Sequence, residues 1–406
     1  MDLGGRSMLV GLFLLNVIDG FDGAAMAVLA PDIKESLGIS NTVLAAVGAA
    51  TGLLFLLAAM PISSLADRSR RTTIGAVSMG AWSVFVACTA FVQNAAGLFV
   101  VRMGAGLSQA HNIPIDGSLL SDTYPIAARG RVFAAHALAN PVGAALGPLA
   151  VGAVAALAGG DEGWRAAFLL IPIPAAILAV ALAFVPEPPR GRYERQAVLG
   201  EQAVEGDAPE PSRDLPVSTA AAFDRLRRIR TFRFLLLGMG ALGFALFSIP
   251  LFTALFLEDR FGLDAAERGV LASIAALPAF FTIPAAGVLN DRLFRTSPPR
   301  SLLLCGGLVA ASGLLYVTSL YLPTLATMAI LFVAAGAVSS AAGAMIPAIV
   351  AAIVPYRLRA RGFTLGGIYM LVFGACLGAV LTGVISDALT VRAALTIVVL
   401  PSSVIG

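Results

Sequence analysis

The sequence predicts an all-α membrane protein with twelve spans in two six-helix halves, and three observations carry that expectation. Of 406 residues, 58% are hydrophobic and 13% charged, with mean hydropathy +0.88, against roughly half apolar and a quarter charged in a soluble domain. Apolar runs of about 20 residues, enough to cross a hydrocarbon core of about 30 Å, recur along the whole chain. A short charged signal follows the second run and returns after the eighth.

Between charged or Pro-rich breaks the runs fall at 8–30, 42–65, 73–93, 96–120, 132–157, 165–185, 232–257, 268–289, 301–322, 324–354, 363–386 and 393–406. The last is short, so the twelfth helix is expected to be incomplete in this sequence. The first run begins too soon after Met1 for a cleaved leader and is expected to stay as a span. Residues 186–230, with six prolines and mixed charge, read as a flexible linker between halves 1–185 and 231–406. Its end, "FDRLRRIR", spaces Phe223, Leu226 and Ile229 by three among arginines, which suits either a short helix on the membrane face or a solvated start to the seventh span.

Basic residues orient the bundle, because Lys and Arg accumulate in cytoplasmic loops. With the N-terminus inside, 21 of the 27 Lys and Arg fall on the cytoplasmic side and five outside, while Arg102 lies within a span. The net charge of +3 therefore reflects topology and contact with anionic lipid, with no nucleic acid implied. A plasma (inner) membrane location and a monomer are expected. Cys88, Cys305 and Cys376 have neither disulfide nor metal-ligand spacing and read as small apolar residues. There is no phosphate-binding Gly-rich loop, metal cluster or Ser/His/Asp arrangement, so neither a cofactor nor an enzymatic activity is expected.

The repeated signal is "SSLADRSRR" and, 224 residues on, "GVLNDRLFR". It matches Asp67, Arg68 and Arg71 to Asp291, Arg292 and Arg295. Such a turn between antiparallel helices can pair its charges with one another and with helix ends, forming a latch that breaks when helices separate. Two copies at equivalent places point to an internal repeat.

A charge near the bilayer centre costs on the order of 3 kcal/mol, so such residues face a cavity or a partner. In "LLNVIDGFDGAAMAVLAP", Asp19 and Asp22 lie roughly 18 and 22 Å from a start near Ser7, and Arg102 lies about 10 Å in from Ala95. Asp22 and Arg102 thus share a layer and can meet. A guanidinium favours the charged carboxylate and desolvation the neutral one, so proton affinity follows the wetting of the cavity. Asp22, Asp19 and Arg102 are the proton-coupling candidates; the alternative is a fixed pair that only ties two helices. Gln109, His111, Asn112 and Asn140 offer polar contacts to a cavity, and Phe247 and Tyr369 an apolar side. His136 is a weaker candidate. Asp116 either faces the cavity or joins Asp122 and Arg129 in an inner-face charge network.

These loop signals resemble the "GxLADRxGRR" motif of the major facilitator superfamily, with Ser63 and Arg70 in place of its glycines. "RMGAG" at Arg102, "GAALGPLAVG" from Gly143 and "GWRAAF" from Gly163 resemble that family's motifs in helices four to six. Within it, "RMGAGLSQAHNIPIDGSLLSDTYPIAARGR" is similar to the Spinster-type group, although Gln109 stands where that group often has Glu and Gly23 where it has Arg. "DGFD" is closer to the aromatic-acid/proton symporters of the same superfamily. The resemblance implies a secondary transporter, coupled to protons, that moves a small amphipathic and even lysolipid-like solute by alternating access. An aromatic-acid or drug carrier, and a receptor or scramblase on the same fold, stand as alternatives.

Overall fold

The computed structural model describes residues 3–160, 162–189, 224, 226, 228–353 and 365–405. Ten of its helical stretches are long and apolar enough to cross a membrane. The stretch that carries Arg102, in two segments Ala95–Gln109 and Asn112–Thr123, and the short last helix Val391–Ile405 complete the twelve expected spans.

The first three spans are Leu3–Val28, Asn41–Arg68 and Arg71–Thr89, with a surface helix Ala30–Leu37 after the first. Local chemistry sets several ends. Ser40 caps the second span by accepting from the Val43 N–H at 3.2 Å, and Asn94 caps the fourth through Gly97 at 2.8 Å. Asp264 and Glu267 form a reciprocal capping box at the start of the eighth span. Gly38 and Gly262 end their helices at φ 60 and 65, where a Cβ would be strained.

Proline explains the interruptions, because its ring removes one N–H and collides with the carbonyl four residues back. The fourth span breaks before Pro114. The fifth divides into Ile126–Ala137 and Ala139–Ala158 ahead of Pro141, and the sixth into Gly163–Leu170 and Pro172–Ala183 at Pro172 itself. The eighth becomes Ala265–Ala276 and Ala279–Thr296 around Pro278. The seventh, ninth and tenth are Arg230–Phe261, Pro298–Ser319 and Leu325–Ile353. In the eleventh, Met370–Gly378 is a π-helical segment that leads into Ala379–Ala388.

The helix pairings repeat across the two sets of six. Span one packs on five, two on four, and three on six; seven packs on eleven, eight on ten, and nine on twelve. That is the pseudo-two-fold arrangement the repeated loop signal predicts. The two sets meet where span five touches eight and span two touches eleven, and small residues allow it. A Cβ on Gly383 of span eleven would lie 2.7 Å from the Thr42 Cα of span two, so the backbones are in direct contact.

These junctions gather on the side opposite the N-terminus. There Asp387, at the end of span eleven, accepts from the N–H groups of Asn41 and Thr42 at 3.0 and 2.9 Å and from the Thr42 hydroxyl at 2.6 Å. Asp32, just past span one, pairs with the buried Arg268 of span eight, which also lies 3.9 Å from Glu258 of span seven. Burial pushes the Asp32 carboxyl above its ordinary range against the opposing pull of Arg268. The far side is therefore closed by two carboxylates, each bridging the two sets of spans.

The side chains of Asp67, Arg68, Asn112, Arg129, Asp291 and Arg295 lie outside the described residues, as does most of the 186–230 linker. At the linker's end, Leu226 is buried with Phe232, Leu236 and Val350, so this residue packs on protein.

Candidate functional site

Asp22 and Arg102 meet in the far-side half of the bundle in a two-pronged ion pair. Arg102 Nη1 donates to Asp22 Oδ1 at 2.6 Å, and Nη2 to Oδ2 at 2.7 Å. Both residues are buried, at 2% and 4% exposure, so each charge depends on the other. One turn nearer the N-terminal side on span one, the Asp19 carboxylate accepts from the Gln109 amide of span four. The three-residue spacing of the two acids and the seven-residue spacing of Arg102 and Gln109 put each pair of residues on one helix face. Spans one and four are thus laced by two contacts, one charged and one polar.

Both contacts border a cavity of about 400 Å³. Its polar wall is Asp19, Asp22, Arg102 and Gln109, from spans one and four. Phe247, Pro250 and Leu251 of span seven form the opposite, apolar wall. Gly23, Ala27 and Pro250 also line an adjoining cavity of about 420 Å³, bordered by Ile249, Leu257 and Phe332, with Arg268 at its far-side end. One charged wall and one extended apolar wall suit a solute with a polar head and an apolar body.

The Major Facilitator Superfamily model matches residues 12–293 and 235–406. The chain belongs to that superfamily. It is 27% identical over 278 residues to the "Probable L-galactonate transporter" of Escherichia coli (strain K12), covering 68% of this chain and 58% of that one. It is 30% identical over 188 residues to "Protein spinster homolog 1" of Xenopus laevis, covering 46% and 35%. The matched region thus spans little more than half of the first relative and about a third of the second. The crystal structure of a bacterial homolog of the human lysosomal transporter Spinster, inward-facing and unoccupied, superposes with a TM-score of 0.82 at 20% identity, over 100% of this chain and 94% of that one. The Spinster-like resemblance read from the fourth-span motif therefore holds.

In this superfamily member the loop arginine Arg71 reaches away from its own turn. Its Nη1 donates to Asp122, at the end of span four, at 2.5 Å, its Nε to Glu187, after span six, at 2.7 Å, and its Nη2 to the Pro188 carbonyl at 3.1 Å. Burial raises the Glu187 carboxyl, but the Thr72 N–H and the Arg71 guanidinium outweigh it and hold the group below its ordinary range. Arg71 thus ties together the N-terminal-side ends of spans three, four and six; the side chain of its counterpart in the second copy, Arg295, lies outside the described residues. Arg165 of "GWRAAF" donates to the carbonyls of Ala90 and Val92 at 2.7 and 2.6 Å, closing the end of span three.

Several expected cavity residues lie elsewhere. Tyr369 borders a separate cavity of about 280 Å³ with Leu226, Phe232 and Leu365, because it sits near the N-terminal-side start of span eleven, below the central layer. Asn140 is exposed. His111 is sealed at 3% exposure, its Nδ1 2.9 Å from the Ser108 carbonyl, so it serves the break in span four. Asp116 joins Asn16 at 2.6 Å and His136 at 3.5 Å rather than Asp122, and Asp122 is taken by Arg71. The apolar wall from Pro250 and Leu251 went unread in the sequence, although Pro250, inside an otherwise regular span, was its available signal.

Proposed function

We propose that the protein is a carrier rather than an enzyme: a secondary transporter that moves a small amphipathic organic solute by alternating access, coupled to protons at Asp22 with Asp19 beside it. The observation that carries this is the buried Asp22–Arg102 pair set into the wall of a cavity that spans both sets of helices. A buried ion pair is weak evidence for stability alone. In a cavity that is alternately wet and sealed, the same pair binds and releases a proton as its surroundings change. Gln109 keeps Asp19 hydrogen-bonded through that change.

The far-side closure at Asp32–Arg268 and at Asp387 supports a state open toward the N-terminal side. Placing that side in the cytoplasm of a plasma (inner) membrane follows from its excess of Lys and Arg. Residues 1–185 and 231–406 would then rock as two bundles joined by 186–230. The name of one relative, a probable L-galactonate transporter, agrees with an organic solute, and that of the bacterial homolog of the lysosomal transporter Spinster with a carrier. The test is uptake and efflux of a panel of lysolipids, sugar acids, aromatic acids and amphipathic drugs by the reconstituted protein, with and without a pH gradient. Gradient-stimulated movement of at least one class is expected, and movement of none at any gradient would refute the reading.

A further inference from the structure

Arg268 helps to close the far side, yet that closure does not use all of its donors. Its Nη2 donates to Asp32 and its Nη1 to the Leu263 carbonyl at 3.3 Å, with Glu258 3.9 Å away. The Nε is buried and has no hydrogen-bond partner among the described residues. The residue is 2% exposed, and a buried donor on a charged group is costly to leave open.

The same residue borders the adjoining cavity of about 420 Å³ at its far-side end. Pro148, Ala254, Leu257 and Phe332 make the walls apolar, and Arg268 is the one charged residue among the described residues that line it. Asp32 and Glu258 do not line the cavity, and their side chains are 32% and 40% exposed against 2% for Arg268. Water therefore screens the two acids more than the guanidinium, so an anion inside the cavity meets a net attraction at close range. The guanidinium of the central cavity is less open: Arg102 gives both Nη atoms to Asp22 and stands beside a second acid, Asp19.

A guanidinium binds a carboxylate best through two parallel N–H groups. On Arg268 the fork formed by Nε and Nη2 is half used, since Asp32 takes Nη2 and nothing takes Nε among the described residues. We infer that Arg268 is the receptor for a carboxylate that enters this cavity, filling Nε and competing with Asp32 for Nη2. On the reading of the two cavities as the solute's path, that carboxylate is the far-side end of the solute. Its arrival loosens the Asp32 bridge between the two sets of spans, so loading favours opening of the far side.

Equilibrium binding tests this without transport. Octanoate, decanoate and phenylacetate are titrated calorimetrically into the full purified protein at pH 7, each beside its uncharged primary amide, with uptake by protein-free micelles subtracted. At least one carboxylate should bind about tenfold more tightly than its amide, as a charge-assisted contact in a buried site provides. Arg268→Gln should bring that ratio close to one. Asp32→Asn should raise it at least about threefold, because the competitor for Nη2 loses its charge. Taking the ratio cancels a shift between open and closed states, which acts on both probes alike. No preference for any carboxylate over its amide in the parent would overturn the inference, as would a ratio that survives in folded Arg268→Gln. If that variant does not fold, an unchanged or lower ratio in Asp32→Asn overturns it alone. Gradient-driven transport without any such preference would leave the carrier reading standing and remove only this one.

Discussion

Gly383→Ala tests the far-side closure at its tightest point. A Cβ there would sit 2.7 Å from the Thr42 Cα and 3.0 Å from the Thr42 N, whereas carbon atoms pack at about 3.5–4.0 Å. Both neighbours are backbone, so the methyl can be accommodated only if spans two and eleven part by about 1 Å. The same displacement would stretch the Asp387 hydrogen bonds, now 2.9 and 3.0 Å, beyond useful length. Overpacking of this kind costs about 1–3 kcal/mol. Applied to the closed state alone, it lowers that state's population about 5- to 150-fold relative to any state in which the spans separate. Spin labels at Glu35 and Leu389, on the far side of the two sets of spans, would report the change by pulsed electron–electron resonance. The long-distance component should grow at least about fivefold in Gly383→Ala. An unchanged distance distribution in a folded variant would refute the claim that this contact holds the far side shut.

Two further outcomes follow from the polar contacts. Glu187→Gln should lower the thermal stability of the detergent-solubilised protein at pH 7, since the carboxylate receives Arg71 and the Thr72 N–H. Because Glu187 is held below the ordinary glutamate value of 4.5, its contribution is complete above that pH and is lost as pH falls through the lower, folded value. The difference in Tm between parent and variant should therefore shrink on acidification below about 4.5, and a constant difference would contradict the assignment. Gln109→Glu places a second carboxyl against Asp19, and two such groups share one proton. Transport by this variant should fall about tenfold from pH 6 to pH 8 relative to the parent, and a parental pH profile would place residue 109 away from the coupling site.

Depth and charge made the Asp22–Arg102 contact legible: few ionisable residues lie within the spans, and helical rise alone puts these two in one layer. The repeated loop signal foretold the paired packing of the two sets of spans for a similar reason, since periodic sequence reports periodic structure. The partners of Asp116 were not legible in this way. Asn16 lies one helical turn before Asp19, which is a usable signal, but His136 comes from a third helix whose rotation depends on the break before Pro141. Arg71 was read as part of its own turn, yet it binds Glu187, a residue at the edge of the polar linker that only the packing of span six brings near. Tyr369 was placed at the cavity on aromatic character alone. The π-helical segment around Gly374 had no sequence signal beyond its glycines, and the close approach of span seven at Gly243 supplies the reason for them.

The central claim is that the Asp22–Arg102 pair couples solute movement to protons. The most direct measurement compares gradient-driven transport with equilibrium exchange in the same vesicles for Asp22→Asn, whose amide keeps shape and hydrogen bonding but cannot carry a proton. Exchange should persist while accumulation driven by the pH gradient is lost, with Asp19→Asn milder and Arg102→Ala damaging both activities because it leaves a buried carboxylate unpaired. Full gradient-driven accumulation in both Asp22→Asn and Asp19→Asn would contradict the account and leave the two acids a structural role.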